Sequence, residues 1–192
     1  MKMNRTRWVT LVLMSAALTV PAVPAQATPA PSAVAQSACP TGWGSFEKIR
    51  SASTTAPVKN VRTGRHACFD RMVIDVPGAG AGTGYRVRYV SQLHQDGSGR
   101  VIPVAGAAVI EVRAMAPSYH PDTGAPTYPA RPGLPLPGVD LTGYRTFRDA
   151  RFGGSFEGDT QIGLGVRARL PFRVLVLTDR VVVDVAHSWT GR

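Results

Sequence analysis

The sequence has few cysteines, few acidic residues and no long apolar run. Its 192 residues include two cysteines, and 12 Asp and Glu stand against 22 Lys and Arg, which gives a formal net charge of +10. No stretch reaches 18 uninterrupted apolar residues, so a membrane-spanning protein is excluded. The 16 prolines and 20 glycines argue against long helices and indicate many turns. With 44% hydrophobic and 18% charged residues, the composition is globular rather than disordered.

The first 27 residues have the organisation of a secretory signal peptide. Basic residues between Lys2 and Arg7 precede an apolar run over residues 8–20, and Ala25 and Ala27 supply the small residues of a cleavage site. Removing 27 of the 192 residues, with three bases and no acid, leaves 165 residues and lowers the net charge from +10 to +7. We therefore expect residues 1–27 to be a signal peptide and the mature protein to be secreted, with no integral membrane segment.

The mature chain divides into a linker and one domain. Residues 28–42 are small, uncharged and interrupted by proline, which predicts a flexible linker. The remaining residues, 43–189, have the length of a single domain.

Both cysteines, Cys39 and Cys68, lie in the exported part of the chain. An even number of cysteines in an oxidising compartment predicts a disulfide, which would pin the segment around Trp43 to the first core strand. A lipid anchor on Cys39 is the alternative that the residues leave open. His66 is close to Cys68, but the other histidines show no metal-ligand spacing with it, so we expect no metal site and no cofactor.

Alternating apolar and polar residues predict strands and no amphipathic helix. Residues 69–76 and 85–90 alternate in this way, and we expect these two strands to pair as a hairpin. Residues 46–51 predict at most a short turn. Further extended runs occupy residues 101–104, 108–115, 148–156, 160–167, 171–177 and 181–187. With a tight turn at residues 178–180, this succession predicts an all-β fold, an antiparallel β-sandwich.

Seven prolines fall within residues 116–138. Proline lacks a backbone donor, so this stretch fits neither a central strand nor the interior of a helix. We predict a long surface loop here. Both a contact surface and a packed rim loop are consistent with it.

The motifs of common catalytic sites are missing from the sequence. Ser155 lies in GGSFE, where Glu157 replaces the last glycine of a nucleophile elbow, and the glycine-rich residues 78–84 precede no phosphate-binding helix. Asp75 and Asp184 occupy matching positions in valine-rich strands, which favours carboxylates that are exposed or paired with arginine over catalytic ones. The acidic residues that could in principle form a hydrolytic pair are Glu47, Glu111, Glu157, Asp70, Asp75 and Asp184. We expect no catalytic residue and a protein that is not an enzyme.

Arginines and tyrosines on the predicted strands indicate a binding surface. With Tyr85 and Tyr89, the strand arginines could form a face that binds anions or sugars; these arginines are Arg71, Arg86, Arg88, Arg113 and Arg173. Tyr85, Arg86, Arg88 and Tyr89 are the proposed contact strand, and Arg113 is a further proposed binding residue. Guanidinium groups bind carboxylates and phosphates, and aromatic rings stack on sugars. A solvated sheet face with cross-strand Arg–Asp pairs is the alternative. No nucleic-acid-binding motif is present, and nucleic acid is not an expected partner.

Several segments in order resemble the AMIN-like domain proteins, relatives of the AMIN module found beside cell-wall amidases. The segments are residues 69–76 (FDRMVIDV), 84–90 (GYRVRYV), 103–113 (PVAGAAVIEVR), 124–128 (GAPTY), 156–158 (FEG), 163–165 (GLG), 171–174 (PFRV) and 178–185 (TDRVVVDV). The resemblance extends over residues 43–187. It departs from the family where Asp179 joins Arg180 directly, without the prolines that usually stand between them.

The resemblance implies a β-sandwich that binds cell-envelope material and carries no catalysis, with peptidoglycan as the ligand of the amidase-linked relatives. No ligand residues are carried over from the family. We therefore expect a secreted, non-catalytic module that contacts peptidoglycan or an associated anionic wall polymer. The alternative is an extracytoplasmic protein-interaction domain, which would pair with an envelope protein through a strand edge or the 116–138 loop.

Overall fold

A computed structural model describes Cys39 and residues 42–190, and these residues form eleven strands and no helix. The strands are β1 (Lys48–Arg50), β2 (Asn60–Arg65), β3 (Phe69–Asp75), β4 (Gly84–Val90), β5 (Leu93–His94), β6 (Val101–Ile102), β7 (Ala108–Met115), β8 (Phe147–Phe156), β9 (Asp159–Val166), β10 (Phe172–Leu177) and β11 (Arg180–Ala186). The predicted signal peptide and residues 28–38, 40 and 41 of the predicted linker lie outside the described residues. Within the described part, no helix has the length and apolarity to cross a membrane.

Nine of the strands form two antiparallel sheets. The larger sheet has the order β1-β4-β7-β9-β8 and the smaller one the order β10-β11-β3-β2, while β5 and β6 form a separate hairpin. Apolar side chains of both sheets belong to one buried cluster. Its members include Met72, Ile74, Val87, Ile110, Val112, Ile162, Leu164, Phe172, Val181 and Val183. The prediction of an all-β, antiparallel β-sandwich is therefore confirmed.

The alternation of side chains explains how each strand contributes to this core. In β11, Val181, Val183 and Val185 are fully buried between the sheets. Val182 and Asp184 point to the opposite side, because successive side chains of a strand face opposite ways. The outer face of the smaller sheet thus consists of the residues that alternate with the buried apolar positions.

The predicted hairpin between residues 69–76 and 85–90 is wrong. β3 pairs with β2 and β11 in the smaller sheet, whereas β4 pairs with β1 and β7 in the larger sheet. Both edges of β3 are occupied, so no place is left for β4. The glycine-rich connection between them crosses from one sheet to the other instead of closing a turn.

Two strands in the first part of the domain were not expected. Residues 48–50, where at most a turn was predicted, form β1 and pair with Tyr85, Arg86 and Val87 of β4. β2 is an edge strand in which Val61 is the buried residue. Strands with so few buried side chains lack the alternating apolar pattern on which the prediction depends.

The turn between β10 and β11 is as tight as expected. Leu177 and Arg180 are cross-strand partners, so Thr178 and Asp179 make the whole turn, with Asp179 at a φ of 60°. The Asp179 carboxylate accepts hydrogen bonds from the N–H groups of Gly78 (3.1 Å) and Gly80 (2.7 Å). These bonds tie the turn to the glycine-rich connection, which compensates for the strained backbone of Asp179.

Residues 116–146 contain no strand and include the proline-rich segment. Its backbone runs along the outer edge of β8, where the N–H of Gly133 donates to Phe152 and the N–H of Leu136 donates to Ala150. Tyr128 and Leu136 are each only 3% exposed. The segment is therefore not confined to the surface: it covers one edge of the larger sheet and contributes to the core.

Cys39 and Cys68 form a disulfide, as predicted, and this bond replaces the lipid-anchor alternative for Cys39. Cys68 directly precedes β3. Trp43 lies four residues after Cys39, and its ring is 5.6 Å from that of Phe69. The disulfide thus fastens the Trp43 segment to β3.

Replacing both cysteines by serine is expected to lower the free energy of unfolding by about 3 to 4 kcal/mol. The bond joins residues 29 positions apart, and opening such a loop raises the entropy of the unfolded chain. Urea denaturation of the Cys39→Ser/Cys68→Ser protein at pH 7 measures the difference. A loss below about 1 kcal/mol would contradict this account of the bond.

Candidate functional site

The five predicted binding residues lie on β4 and β7 but not on one face. Arg86, Arg88 and Arg113 point outward on the larger sheet, and Arg86 and Arg113 are direct cross-strand partners. Tyr85 and Tyr89 alternate with the arginines of β4 and pack, partly buried, against the core. The structure therefore brings the three arginines together and separates both tyrosines from them.

Tyr89 is bound within the protein. Its hydroxyl donates to the carbonyl of Leu170 and accepts from the N–H of the same residue, each at 2.8 Å. Its ring meets Phe172 edge-on at 5.7 Å. Burial raises the pKa of the Tyr89 hydroxyl. These contacts give Tyr89 a structural role at the end of the sandwich.

Glu111 is the centre of a polar cluster on the outer face of the larger sheet. Its carboxylate, 7% exposed, accepts hydrogen bonds from Arg88 (2.8 Å), Arg113 (3.3 Å) and Gln161 (2.7 Å). Burial acts to raise the pKa of Glu111, but the hydrogen bonds from Gln161 and Arg88 and the charges of Arg113 and Arg88 outweigh it. The pKa of Glu111 therefore lies below its ordinary value.

The other arginine contacts on this face are also with carboxylates. Arg113 pairs with Asp96 and lies 3.6 Å from the carboxylate of Asp159, and Arg86 pairs with Glu47. Three arginines thus face four carboxylates, Glu47, Asp96, Glu111 and Asp159. The surface predicted to bind anions is neutralised by the protein itself and has no surplus positive charge.

The chain between β4 and β7 covers part of the same face. A Cβ atom on Gly165 would lie 1.8 Å from the carbonyl oxygen of Ala105, and one on Gly163 would lie 2.5 Å from the side chain of Leu93. Only glycine allows this close approach, which explains why Gly163 and Gly165 flank Leu164 in the GLG segment. The outer surface of β9 is consequently covered by protein.

On the outer face of the smaller sheet, two arginines share one buried carboxylate. Asp184, 0% exposed, accepts hydrogen bonds from Arg71 Nε (2.6 Å) and Nη2 (2.9 Å) and from Arg173 Nε (2.8 Å). β11 lies between β3 and β10, and Asp184 is the cross-strand partner of both arginines. The hydrogen bond to Asp184 raises the pKa of Arg71. Of the two expectations for Asp184, an exposed or an arginine-paired carboxylate, the structure shows the second.

Aromatic rings flank these two guanidinium groups. The guanidinium carbon of Arg173 lies 4.4 Å from the ring centroid of Trp43 and 5.5 Å from that of Phe69. The guanidinium carbon of Arg71 lies 5.2 Å from the ring of Phe69, on which His66 stacks at 4.4 Å. Trp43 and Phe69 are half-buried, so they hold the arginines in place and still present ring surface to solvent.

We call the surface formed by Trp43, Phe69, Arg71, Arg173 and Asp184 the arginine–aromatic face. A hollow of about 220 Å³ adjoins it, and its walls include Arg71, Val73 and Val182. The outward-facing charged residues of the smaller sheet are Arg62, Arg71, Asp75, Arg173, Arg180 and Asp184. Four arginines against two carboxylates leave a surplus of positive charge, in contrast to the larger sheet.

The sequence identified Arg71 and Arg173 as strand arginines that could bind anions, but the proposed contact strand was β4 and not this surface. It also predicted the disulfide that anchors the Trp43 segment, and it favoured an exposed or arginine-paired carboxylate at Asp184. The missing step was the register of three strands, which places both arginines opposite Asp184. No local pattern around Trp43 indicates that its ring covers Arg173.

A second concavity, of about 460 Å³, lies beside the β5-β6 hairpin and is lined mainly by apolar residues. Asp149 and Arg151 border it, but they bind each other at 2.8 Å, and Asp149 also accepts the N–H of Ala105. In the described part of the chain, no group of three His, Cys, Asp or Glu residues is placed to hold a metal ion. The arginine–aromatic face is the better candidate because it combines surplus positive charge with aromatic rings that are partly exposed.

Glu111→Gln is expected to destabilise the protein by about 1 to 3 kcal/mol at pH 7, because three donors lose a charged acceptor. Since folding lowers the pKa of Glu111, its contribution is present above the unfolded pKa of about 4.3 and is lost as the pH falls through the folded pKa. Thermal unfolding at pH 7 and pH 3 should show a smaller difference from wild type at pH 3. An equal difference at both pH values would contradict a role for the charge.

The family model of the AMIN-like domain matches residues 56–187. This range contains β2 to β11, whereas Cys39, Trp43 and β1 precede it. Comparisons with curated proteins and with solved structures found no match. A match over more than two thirds of the 192 residues, on a chain that folds as an antiparallel β-sandwich, shows that the protein belongs to the AMIN-like domain family.

Proposed function

We propose that the protein is a secreted, non-catalytic cell-envelope module that binds peptidoglycan or an associated anionic wall polymer through the arginine–aromatic face. The observation that carries this proposal is the sharing of one fully buried carboxylate, Asp184, by Arg71 and Arg173. Two cations and one anion leave one positive charge beside the half-buried rings of Trp43 and Phe69. Guanidinium groups and rings together suit a polymer that has both anionic groups and sugars.

The fixed geometry of the face supports binding. Arg71 and Arg173 are held by Asp184 from one side and by Phe69 and Trp43 from the other. Long side chains that are already ordered lose less conformational entropy when a ligand arrives. The face therefore needs no rearrangement to present its charge.

Two features support the compartment. The AMIN-like domain and the Cys39–Cys68 disulfide are consistent with an extracytoplasmic protein, since disulfides persist in oxidising environments. The predicted signal peptide, residues 1–27, supplies a route of export.

Pairing with an envelope protein through a strand edge or the 116–138 loop is less favoured. That loop already lies along β8, and the N–H of Phe172 at the β10 edge donates to Gly44. β1 is three residues long and carries Lys48 and Arg50. Short, charged or covered edges resist strand addition. The arginines of the larger sheet, Arg86, Arg88 and Arg113, are kept as a second candidate contact surface.

The mature protein, residues 28–192, is expected to be retained on purified insoluble peptidoglycan at about 0.15 M salt and to be released as salt screens the arginine contacts. Arg173→Gln should weaken retention at least about tenfold, because a charge-assisted hydrogen bond is lost. Arg131→Gln, a loop variant of equal charge change, should bind as wild type. The measurement is a pull-down with a salt series, on peptidoglycan with and without its anionic polymers.

Each outcome of the pull-down has one meaning. Loss of binding in Arg86→Gln with normal binding in Arg173→Gln would move the contact to the larger sheet. Retention that resists salt and fails on shortening the 116–138 loop would move the contact to that loop. No retention on either material would refute the wall-binding proposal.

A further inference from the structure

Arg71 and Arg173 use different parts of their guanidinium groups on Asp184. Arg71 binds side-on, with Nε on one carboxylate oxygen and Nη2 on the other. Arg173 reaches the carboxylate with Nε alone, at 2.8 Å. Among the described residues, no hydrogen bond engages Nη1 or Nη2 of Arg173. These two nitrogens form the end of the guanidinium fork.

The fork of Arg173 is held in a fixed place. Nε is anchored on a carboxylate that is itself fully buried, and the indole of Trp43 lies over the guanidinium at 4.4 Å. The side chain is nevertheless 32% exposed. The guanidinium of Arg173 is thus anchored through Nε, while its two terminal nitrogens are unused and partly exposed. This is the geometry of a receptor for a ligand and not that of a completed structural ion pair.

Charge and shape limit what this receptor can take. Arg71, Arg173 and Asp184 together carry one surplus positive charge, so a singly charged anion neutralises the group. Two parallel N–H donors fit two oxygens in one plane, as in a carboxylate. The Trp43 ring closes one side of the guanidinium, which disfavours a tetrahedral group with substituents on both sides of that plane.

We propose that the terminal nitrogens of Arg173 receive a carboxylate of the bound wall material, of the kind carried by the peptide part of peptidoglycan. This inference rests on the proposed function and specifies the chemical group that the arginine–aromatic face recognises. Arg71 is a positioning residue in this arrangement, because its two bonds keep Asp184 in place while Arg173 is engaged by the ligand. Trp43 covers the contact and excludes water from one side.

The first test asks whether binding needs the two coplanar donors of Arg173 or only its positive charge. Arg173→Lys keeps the positive charge but loses the two coplanar donors, so it should bind peptidoglycan at least about tenfold more weakly than wild type. Arg131→Lys is the matched control and should bind normally. Thermal unfolding of Arg173→Lys should stay close to wild type, because both bonds from Arg71 to Asp184 remain.

The ligand is varied in the same pull-down. Peptidoglycan whose carboxylates have been converted to amides should retain wild-type protein only as weakly as native peptidoglycan retains Arg173→Lys. If the wild-type protein is retained and Arg173→Lys binds equally well, the proposal of a carboxylate receptor is overturned. The same holds if the wild-type protein binds the amidated material as well as native peptidoglycan. Either result leaves the proposed function standing. Binding that disappears only when phosphate-bearing polymers are removed would assign the fork to a phosphodiester and overturn the carboxylate receptor too. No wild-type retention on any material would refute the proposed function itself.

Discussion

The bond between Asp184 and its two arginines is the interaction on which the smaller sheet depends. A carboxylate without solvent contact is unfavourable unless it is paired, and here the partners come from the strands on both sides. β3, β11 and β10 are therefore fixed relative to one another by a single charged group as well as by their backbone hydrogen bonds. The same group determines where the guanidinium ions lie, and the aromatic rings pack against the positions so defined.

The outer faces of the two sheets share one arrangement, a buried carboxylate bound by two arginines, but they differ in net charge. Each has a buried carboxylate in the middle of its sheet, Asp184 in one and Glu111 in the other, and each carboxylate binds two arginines. Around Glu111 the chain adds Asp96 and Asp159 and then covers β9 with the segment after β4. Around Asp184 it adds rings instead of acids. One arrangement completes the structure, and the other leaves charge and ring surface available to a ligand.

The sequence predicted the fold where strands are buried and failed where they are not. The valine-rich β11 and its partner β10 follow from alternation alone, and so does their two-residue turn. β2 has one fully buried residue to signal a strand, and the glycine-rich connection after β3 gives no information about which sheet the next strand joins. The candidate site could be predicted in part, because alternation along β4 already places Tyr85 and Tyr89 on the face opposite to Arg86 and Arg88. Arg173 is 11 residues from Asp184, but the meeting of Arg71 with Asp184 requires the register of strands that are 113 residues apart in the chain.

The proline-rich segment along β8 affects how copies of this domain can lie next to one another on a polymer. A repetitive polymer gathers bound molecules at high local concentration, and crowding of this kind promotes sheet-to-sheet addition wherever a strand edge is open. By hydrogen bonding to both backbone groups of Phe152 and to the carbonyl of Ala150, the segment covers the longest such edge of the larger sheet. Domains bound side by side on such a polymer are therefore kept from joining strands at this edge.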